Sequence, residues 1–269
     1  MKMRHTAAWL GLTAATLVAA SGCGTQSVRT ADRTMAALER SADRTQAVGS
    51  ARLRMAADYG TGTAVPMEGT YSWGDGYAYD VEMNTKDVRM QRVQDASVIR
   101  CLLVHGAYYY DVDPQPSGPL KGKEWMKVDA SASYGDKGAR AISGDAAGPA
   151  AVMARLKYAH DAEELGTETV DGRRTRHYRG VVDRAHLGPL KDIYGDKDSP
   201  MGALTNGAAS VTMDVWVGAD DLPVRIKERI GGLKLTMDFE KYGRTVEVKA
   251  PPVAQTADVT ALVKRQQRR

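Results

Sequence analysis

The sequence is poor in cysteine, in long apolar runs and in net charge, and each shortage argues against a class of protein or partner. Two cysteines occur in 269 residues, too few for the disulfide framework that stabilises many exported domains. No long uncharged apolar run follows residue 23, so the rest of the chain is not expected to span a membrane. The formal net charge of +4 argues against nucleic acid as a partner. No linker rich in proline, glycine or serine divides the chain, and we therefore expect one domain.

The first 22 residues have the features of a secretory signal. Lys2 and Arg4 precede an apolar run from Ala7 to Ala20, which is too short for a mature membrane helix. The sequence Ala20-Ser21-Gly22-Cys23 then resembles the bacterial lipobox, whose cysteine receives a diacylglyceryl thioether before cleavage. This resemblance implies that Cys23 is lipidated and anchors the chain at the outer face of the cell membrane. Plain secretion is the alternative.

The apolar period changes after an N-terminal helix that we predict over residues 31–48. Leu53 and Met55 alternate with Arg52 and Arg54, as in a strand with one face in water. The same alternation predicts a long antiparallel meander, with further strands at residues 67–73, 77–83, 88–91, 98–104, 107–112, 167–170, 176–179, 211–217, 224–226 and 233–239.

Two further helical patterns, over residues 149–158 and 183–194, interrupt the strands, and residues 133–150 are expected to form a mobile connection. A broad sheet that is apolar on one face must cover that face, and the helices are the material available. We therefore predict an α+β fold, in which a curved antiparallel sheet forms an open half-barrel with helices packed on its concave face. The predicted divisions are a signal peptide (1–22), a lipidated tether (23–30), the half-barrel domain (31–255) and a basic C-terminal tail (256–269).

Several motifs strengthen this prediction through a family resemblance. They are Gly122-Lys123-Glu124-Trp125, Val170-Asp171-Gly172, the stretch from Val215 to Arg225 that contains Asp220-Asp221-Leu222-Pro223, Phe239-Glu240-Lys241-Tyr242-Gly243, and residues 246–252. With the order of helix, meander and helical insertions, they resemble the LolA/LolB superfamily of lipoprotein carriers, and more closely the actinobacterial lipoproteins of the LppX/LprG type. The resemblance covers nearly all of the chain after the signal.

The resemblance implies an apolar cavity between sheet and helices that takes up acyl chains of lipids or lipoproteins. Twelve methionines against one phenylalanine suit such a wall, because flexible thioethers adapt to irregular chains. The alternative is that the same side chains fill a packed core, in an anchored module for protein interaction or signalling. From strand and helix parity, the predicted lipid-binding residues are Met55, Val81, Met83, Met90, Met153, Leu156, Leu187, Leu190, Met213 and Met237.

The sequence gives little support to an enzyme. None of its four histidines after the signal lies in a metal-ligand spacing, and no phosphate-binding glycine loop occurs. Residues 141–145 lack the first glycine of a nucleophile elbow, and Cys101 lies in an apolar stretch typical of a buried residue without chemistry. We expect no catalysis, cofactor or metal. We expect a monomer whose partners are lipid or lipoprotein acyl chains, and the membrane through Cys23.

Overall fold

The computed structural model describes residues 23–74, 76–144, 147–195, 200–243 and 247–267. The predicted signal at residues 1–22 lies outside them. Within these ranges the chain forms a single sheet of twelve strands. The strands are β1 Ser50–Tyr59, β2 Ala64–Ser72, β3 Ala78–Asn84, β4 Val98–Val104, β5 Ala107–Asp111, β6 Trp125–Asp129, β7 His160–Val170, β8 Arg173–Asp183, β9 Ser210–Val217, β10 Pro223–Ile230, β11 Leu233–Tyr242 and β12 Thr256–Asp258.

The sheet is curved and unclosed, and it consists of two meanders. The strand order is β12-β6-β5-β4-β3-β2-β1-β11-β10-β9-β8-β7. Neighbouring strands are mostly consecutive along the chain, and the antiparallel pairing of β1 with β11 joins the two halves. The short strand β12 pairs with β6 in parallel. The predicted antiparallel half-barrel is therefore confirmed.

Helices cover one face of this sheet. In the described residues they are α1 Cys23–Val48, α2 Ser131–Ser143, α3 Pro149–Arg155, α4 Leu190–Gly195, α5 Pro200–Thr205 and α6 Thr260–Gln267. Leu38 of α1 and Met153 of α3 are 1% and 0% exposed and belong to the same apolar core as the strand residues Leu53 and Ile226. We call the helix-covered concave face the inner face and the opposite face the outer face. The predicted α+β architecture is confirmed.

Two tight hairpins have the turns that the sequence predicts. Asp171 and Gly172, between β7 and β8, have φ values of 48° and 75°, and His105 and Gly106, between β4 and β5, have 50° and 75°. Positive φ at both central residues is the geometry whose twist matches that of antiparallel strands. These turns fix the register, and therefore decide which side chains point inward.

Two segments differ from the sequence-based prediction. Residues 88–91 form turns and not a strand, because the Asn84 carboxamide accepts the Lys86 N–H at 2.9 Å and Arg89 adopts a φ of 58°. Much of the expected mobile connection over 133–150 is helix α2, whose first N–H, that of Ser131, donates to the Asp129 carboxylate at 2.8 Å.

The other helical segments also differ in extent. The predicted helix over 183–194 is interrupted by Gly188, with a φ of 58°, so a 3₁₀ turn at Arg184–His186 precedes α4. The expected loose tether is helical from Cys23 onward, since the segment contains no proline and extending a helix costs less than starting one.

The C-terminal segment is not the frayed tail that its basic residues predict. Residues 256–258 form β12, and Ala257 and Val259 are 8% and 7% exposed in a second apolar cluster with Val128 of β6. Burial of these apolar side chains holds the segment on the sheet edge, and the charge pattern alone did not reveal it.

Candidate functional site

Four methionines lie in register across the inner face of four neighbouring strands. Met237 of β11 pairs with Met55 of β1, Met55 with Met67 of β2, and Met67 with Met83 of β3. We call these four the methionine row. Met237 and Met83 are 3% and 8% exposed, whereas the central Met55 and Met67 are partly exposed. The centre of the inner face therefore presents accessible, flexible thioethers.

The residues predicted to line a cavity all belong to one apolar cluster. Eight of the ten are exposed by 8% or less, and Met55 and Met90 are partly buried against the same cluster. They come from strands, from the turn around residue 90, from α3 and the 3₁₀ turn that follows it, and from the segments around α4. They are Met55, Val81, Met83, Met90, Met153, Leu156, Leu187, Leu190, Met213 and Met237. The structure brings all ten together on the inner side, while lipid binding by them stays a prediction.

Sequence reasoning missed the tyrosines of the inner face. Tyr71 of β2 pairs with Tyr79 of β3, and their ring centroids are 5.4 Å apart. The line continues from Tyr79 to Tyr108 of β5 at 6.5 Å and from Tyr108 to Tyr110 at 6.3 Å. We call Tyr71, Tyr79, Tyr108 and Tyr110 the tyrosine row. Strand parity, which puts Tyr71 and Tyr79 on the same face as the methionine row, was the signal that could have found them.

The phenols of this row combine accessibility with a dry environment. Burial among protein atoms raises the pKa of Tyr79, Tyr108 and Tyr110 well above the ordinary value of 10.0, yet these three side chains are partly exposed. At the end of β1, Tyr59 is 40% exposed, and burial of its phenol raises its pKa to about 12. Ionisation of these phenols is therefore disfavoured, although part of each side chain reaches solvent.

One ion pair is buried inside the same apolar cluster. Arg155 of α3 and Glu228 of β10 lie 3.5 Å apart between Nη2 and Oε1, with side chains 10% and 6% exposed. Glu228 occupies an inward position, paired with Leu235 on one side and Met213 on the other. Burial raises the pKa of the Glu228 carboxyl, and the Arg155 guanidinium partly opposes this shift. The pair connects a helix to the sheet across the interior.

The outer face is polar by contrast. Arg52 lies 2.5 Å from Glu68 and 3.4 Å from Glu240, and Arg100 lies 2.6 Å from Asp80. Such exposed pairs on neighbouring strands contribute little stability each. A depression of about 660 Å³ on this face is lined by Arg52, Asp80, Arg100 and other mostly polar or charged residues, and none of the ten predicted residues lines it. The two faces of the sheet thus have opposite chemistry.

Two further observations apply to the described residues. No helix among them is long and apolar enough to cross a membrane. No group of three or more histidine, cysteine, aspartate or glutamate side chains in these ranges could hold a metal ion.

Comparison with solved structures identifies the fold. The crystal structure of LprF from Mycobacterium bovis covers 82% of this chain and 97% of its own, with a TM-score of 0.52 and 13% identity. The chain has the LprF fold. The lipoprotein LppX from Mycobacterium tuberculosis also shares this LprF fold, covering 81% of this chain and 99% of its own, with a TM-score of 0.51 and 12% identity.

Sequence comparison adds a more similar relative. The protein of Streptomyces coelicolor named "Putative lipoprotein SCO4650" is 26% identical over 228 residues, which are 80% of this chain and 71% of that protein. No protein-family model matches the chain. The predicted resemblance to actinobacterial lipoproteins of the LppX type is thus confirmed through the LprF fold.

Proposed function

We propose that this chain is a membrane-anchored lipoprotein that binds lipid acyl chains against its inner face and assists lipid or lipoprotein transfer in the cell envelope. The observation that carries the proposal is the methionine row. Its central side chains, Met55 and Met67, are partly exposed in the middle of the apolar cluster. A surface of this kind is suited to hydrocarbon, which it can contact without directed polar bonds.

Apolar contact alone can supply the free energy of binding. Each square ångström of apolar surface removed from water contributes about 25 cal/mol, and an acyl chain that spreads along several strands covers much of it. Thioethers can repack around chains of different length, which suits a carrier of varied lipids. The charged outer face contributes nothing to this contact, because its guanidinium and carboxylate groups point away from the interior.

The anchoring half of the proposal concerns Cys23, the first residue of α1. A thioether-linked diacylglycerol at this position would hold the domain at the membrane surface through a helix of 26 residues. The test is metabolic labelling with an alkynyl fatty acid in the native host. We expect the wild type to be labelled and the Cys23→Ser variant to be unlabelled. Labelling of that variant at wild-type level would contradict the anchor.

A matched pair of variants tests the binding half. Met55 points inward, whereas its neighbour Ala56 lies on the opposite face of β1. Met55→Trp should fill the accessible part of the interior and weaken uptake of a fluorescent fatty acid, since the indole ring occupies space that the acyl chain needs. Ala56→Trp should bind as the wild type does. Equal uptake by both variants, with folding checked by circular dichroism, would contradict binding at the inner face.

The alternative of an interaction module with a packed interior has one observation in its favour. Met153, Met213 and six others of the ten predicted residues are almost completely buried, as in an ordinary core. Photoaffinity labelling separates the two functions. A diazirine fatty acid should label side chains on the inner face of the delipidated protein. Labelling of outer-face side chains alone would favour the interaction module.

A further inference from the structure

The tyrosine row and the methionine row divide the inner face into two chemically different regions. Met67 and Tyr71 lie four residues apart on β2, and Met83 and Tyr79 lie four residues apart on β3. Four residues of an extended strand span about 13 Å. The two rows therefore run side by side across neighbouring strands, one with thioethers and the other with phenols.

The phenols have hydrogen-bonding capacity that the protein uses weakly. The Tyr71 hydroxyl donates to the Met55 sulfur at 4.0 Å, and those of Tyr79 and Tyr110 interact with the Cys101 thiol. Among the residues that the structure describes, only Tyr108 in the row has an oxygen partner, the hydroxyl of Tyr134. Sulfur is a weak acceptor, whereas a buried tyrosine hydroxyl usually has an oxygen or nitrogen partner. The hydroxyls of Tyr79 and Tyr110 are therefore available to an oxygen atom of a ligand.

The surroundings of the row also define the charge of the group it can accept. The ionisable neighbours that act on Tyr79 and Tyr110 are other phenols and the Cys101 thiol, and each of them raises the phenol's pKa. A lysine or arginine is not among these neighbours in the described part of the chain. An anionic headgroup would lose its hydration there without gaining a counter-ion, which is costly.

We propose that the tyrosine row is a hydrogen-bonding subsite for an uncharged, oxygen-bearing group of a bound lipid, such as an ester carbonyl or a hydroxyl, while the hydrocarbon lies along the methionine row. This inference rests on the proposed function and adds an orientation to it. Tyr79 and Tyr110 are then specificity-determining residues. Their hydroxyls discriminate between lipids of equal chain length by the group at the polar end.

The test uses the delipidated protein and two ligands of the same chain length. N-phenyl-1-naphthylamine serves as an apolar fluorescent probe, and 1-dodecanoylglycerol or dodecanoate displaces it. In the wild type, the glyceride should displace the probe more effectively than the anion. Each neutral hydrogen bond changes affinity by a factor of about 2 to 10. The double variant Tyr79→Phe/Tyr110→Phe should therefore bind the glyceride at least about fourfold more weakly while its affinity for the probe is unchanged.

Tyr109→Phe is the matched control, because Tyr109 lies between two row members on β5 but on the opposite face, in register with Leu102 and Lys127. It should leave both affinities unchanged. Undiminished glyceride binding by the double variant, or tighter binding of dodecanoate than of the glyceride by the wild type, would overturn the subsite while leaving acyl-chain binding intact. Failure of the wild type to bind the probe would overturn the proposed function and the subsite together.

Discussion

Breaking the buried ion pair between Arg155 and Glu228 should cost far more stability than breaking an exposed one. Their side chains are 10% and 6% exposed, so removal of either charge takes away an opposite charge from a group that stays buried. Such single replacements typically cost about 3–5 kcal/mol. The long Nη2–Oε1 distance of 3.5 Å places Glu228→Leu and Arg155→Met at the lower end, at about 3 kcal/mol.

The double variant distinguishes the pair from simple loss of packing. Arg155→Met/Glu228→Leu replaces both charges with apolar groups and should recover most of the loss, because a buried pair is often no better than well-packed hydrophobic residues. Urea unfolding followed by circular dichroism measures all four proteins. Arg100→Ala, which breaks an exposed pair with Asp80, is the control and should cost about 1 kcal/mol or less. Additive losses in the double variant would refute the reasoning, since independent sites add and coupled ones do not.

The same pair predicts a pH dependence. Burial raises the pKa of Glu228 above its ordinary value of 4.5, so the folded chain holds this proton more tightly than the unfolded chain. The resulting stabilisation is complete below pH 4.5 and is lost as the pH rises through the raised pKa. The unfolding free energy of the wild type should therefore fall relative to that of Glu228→Gln as the pH rises. A difference that is constant with pH would contradict this assignment.

Three shorter predictions follow from other contacts. Gly69→Ala places a methyl group 2.1 Å from the Asp80 carbonyl oxygen and should destabilise the domain by about 1–3 kcal/mol or more in thermal unfolding. Cys101 is 1% exposed, and burial raises its pKa to about 12. In a Cys23→Ser background it should resist Ellman's reagent at about pH 8 and react only after unfolding. Rapid reaction of the folded protein would contradict its burial. Burial raises the pKa of the Tyr79 phenol well above 10.0. The protonated phenol therefore stabilises the folded chain fully below pH 10.0, and this contribution is lost as the pH rises through the raised pKa. Absorbance at about 295 nm should then show phenol ionisation coinciding with alkaline unfolding.

Local sequence patterns were sufficient to predict the face that each strand presents. Two-residue alternation placed Met55 and Val81 inward and Arg52 outward, because a strand with one buried face has no other arrangement. The tight turns at 105–106 and 171–172 followed from glycine and from residues that tolerate positive φ. The same reasoning failed at residues 88–91, where four alternating residues were too few to outweigh a side chain that caps a turn.

The arrangement of the site required information that no local pattern contains. The methionine row exists because β1 pairs with β11, nearly the whole domain away along the chain, and strand parity does not predict that pairing. The tyrosine row likewise depends on the register between β3, β4 and β5. The inward position of Glu228 was visible, since it stands between Ile226 and Ile230 on β10, but its partner on α3 was not.

The central claim is that the inner face holds lipid, and native mass spectrometry of the protein gently extracted from its own membrane tests it most directly. We expect a mass above that of the lipidated chain, with the excess released by organic solvent and restored on incubation with lipid. A bare mass, together with no uptake of a fluorescent fatty acid by the same preparation, would contradict the account.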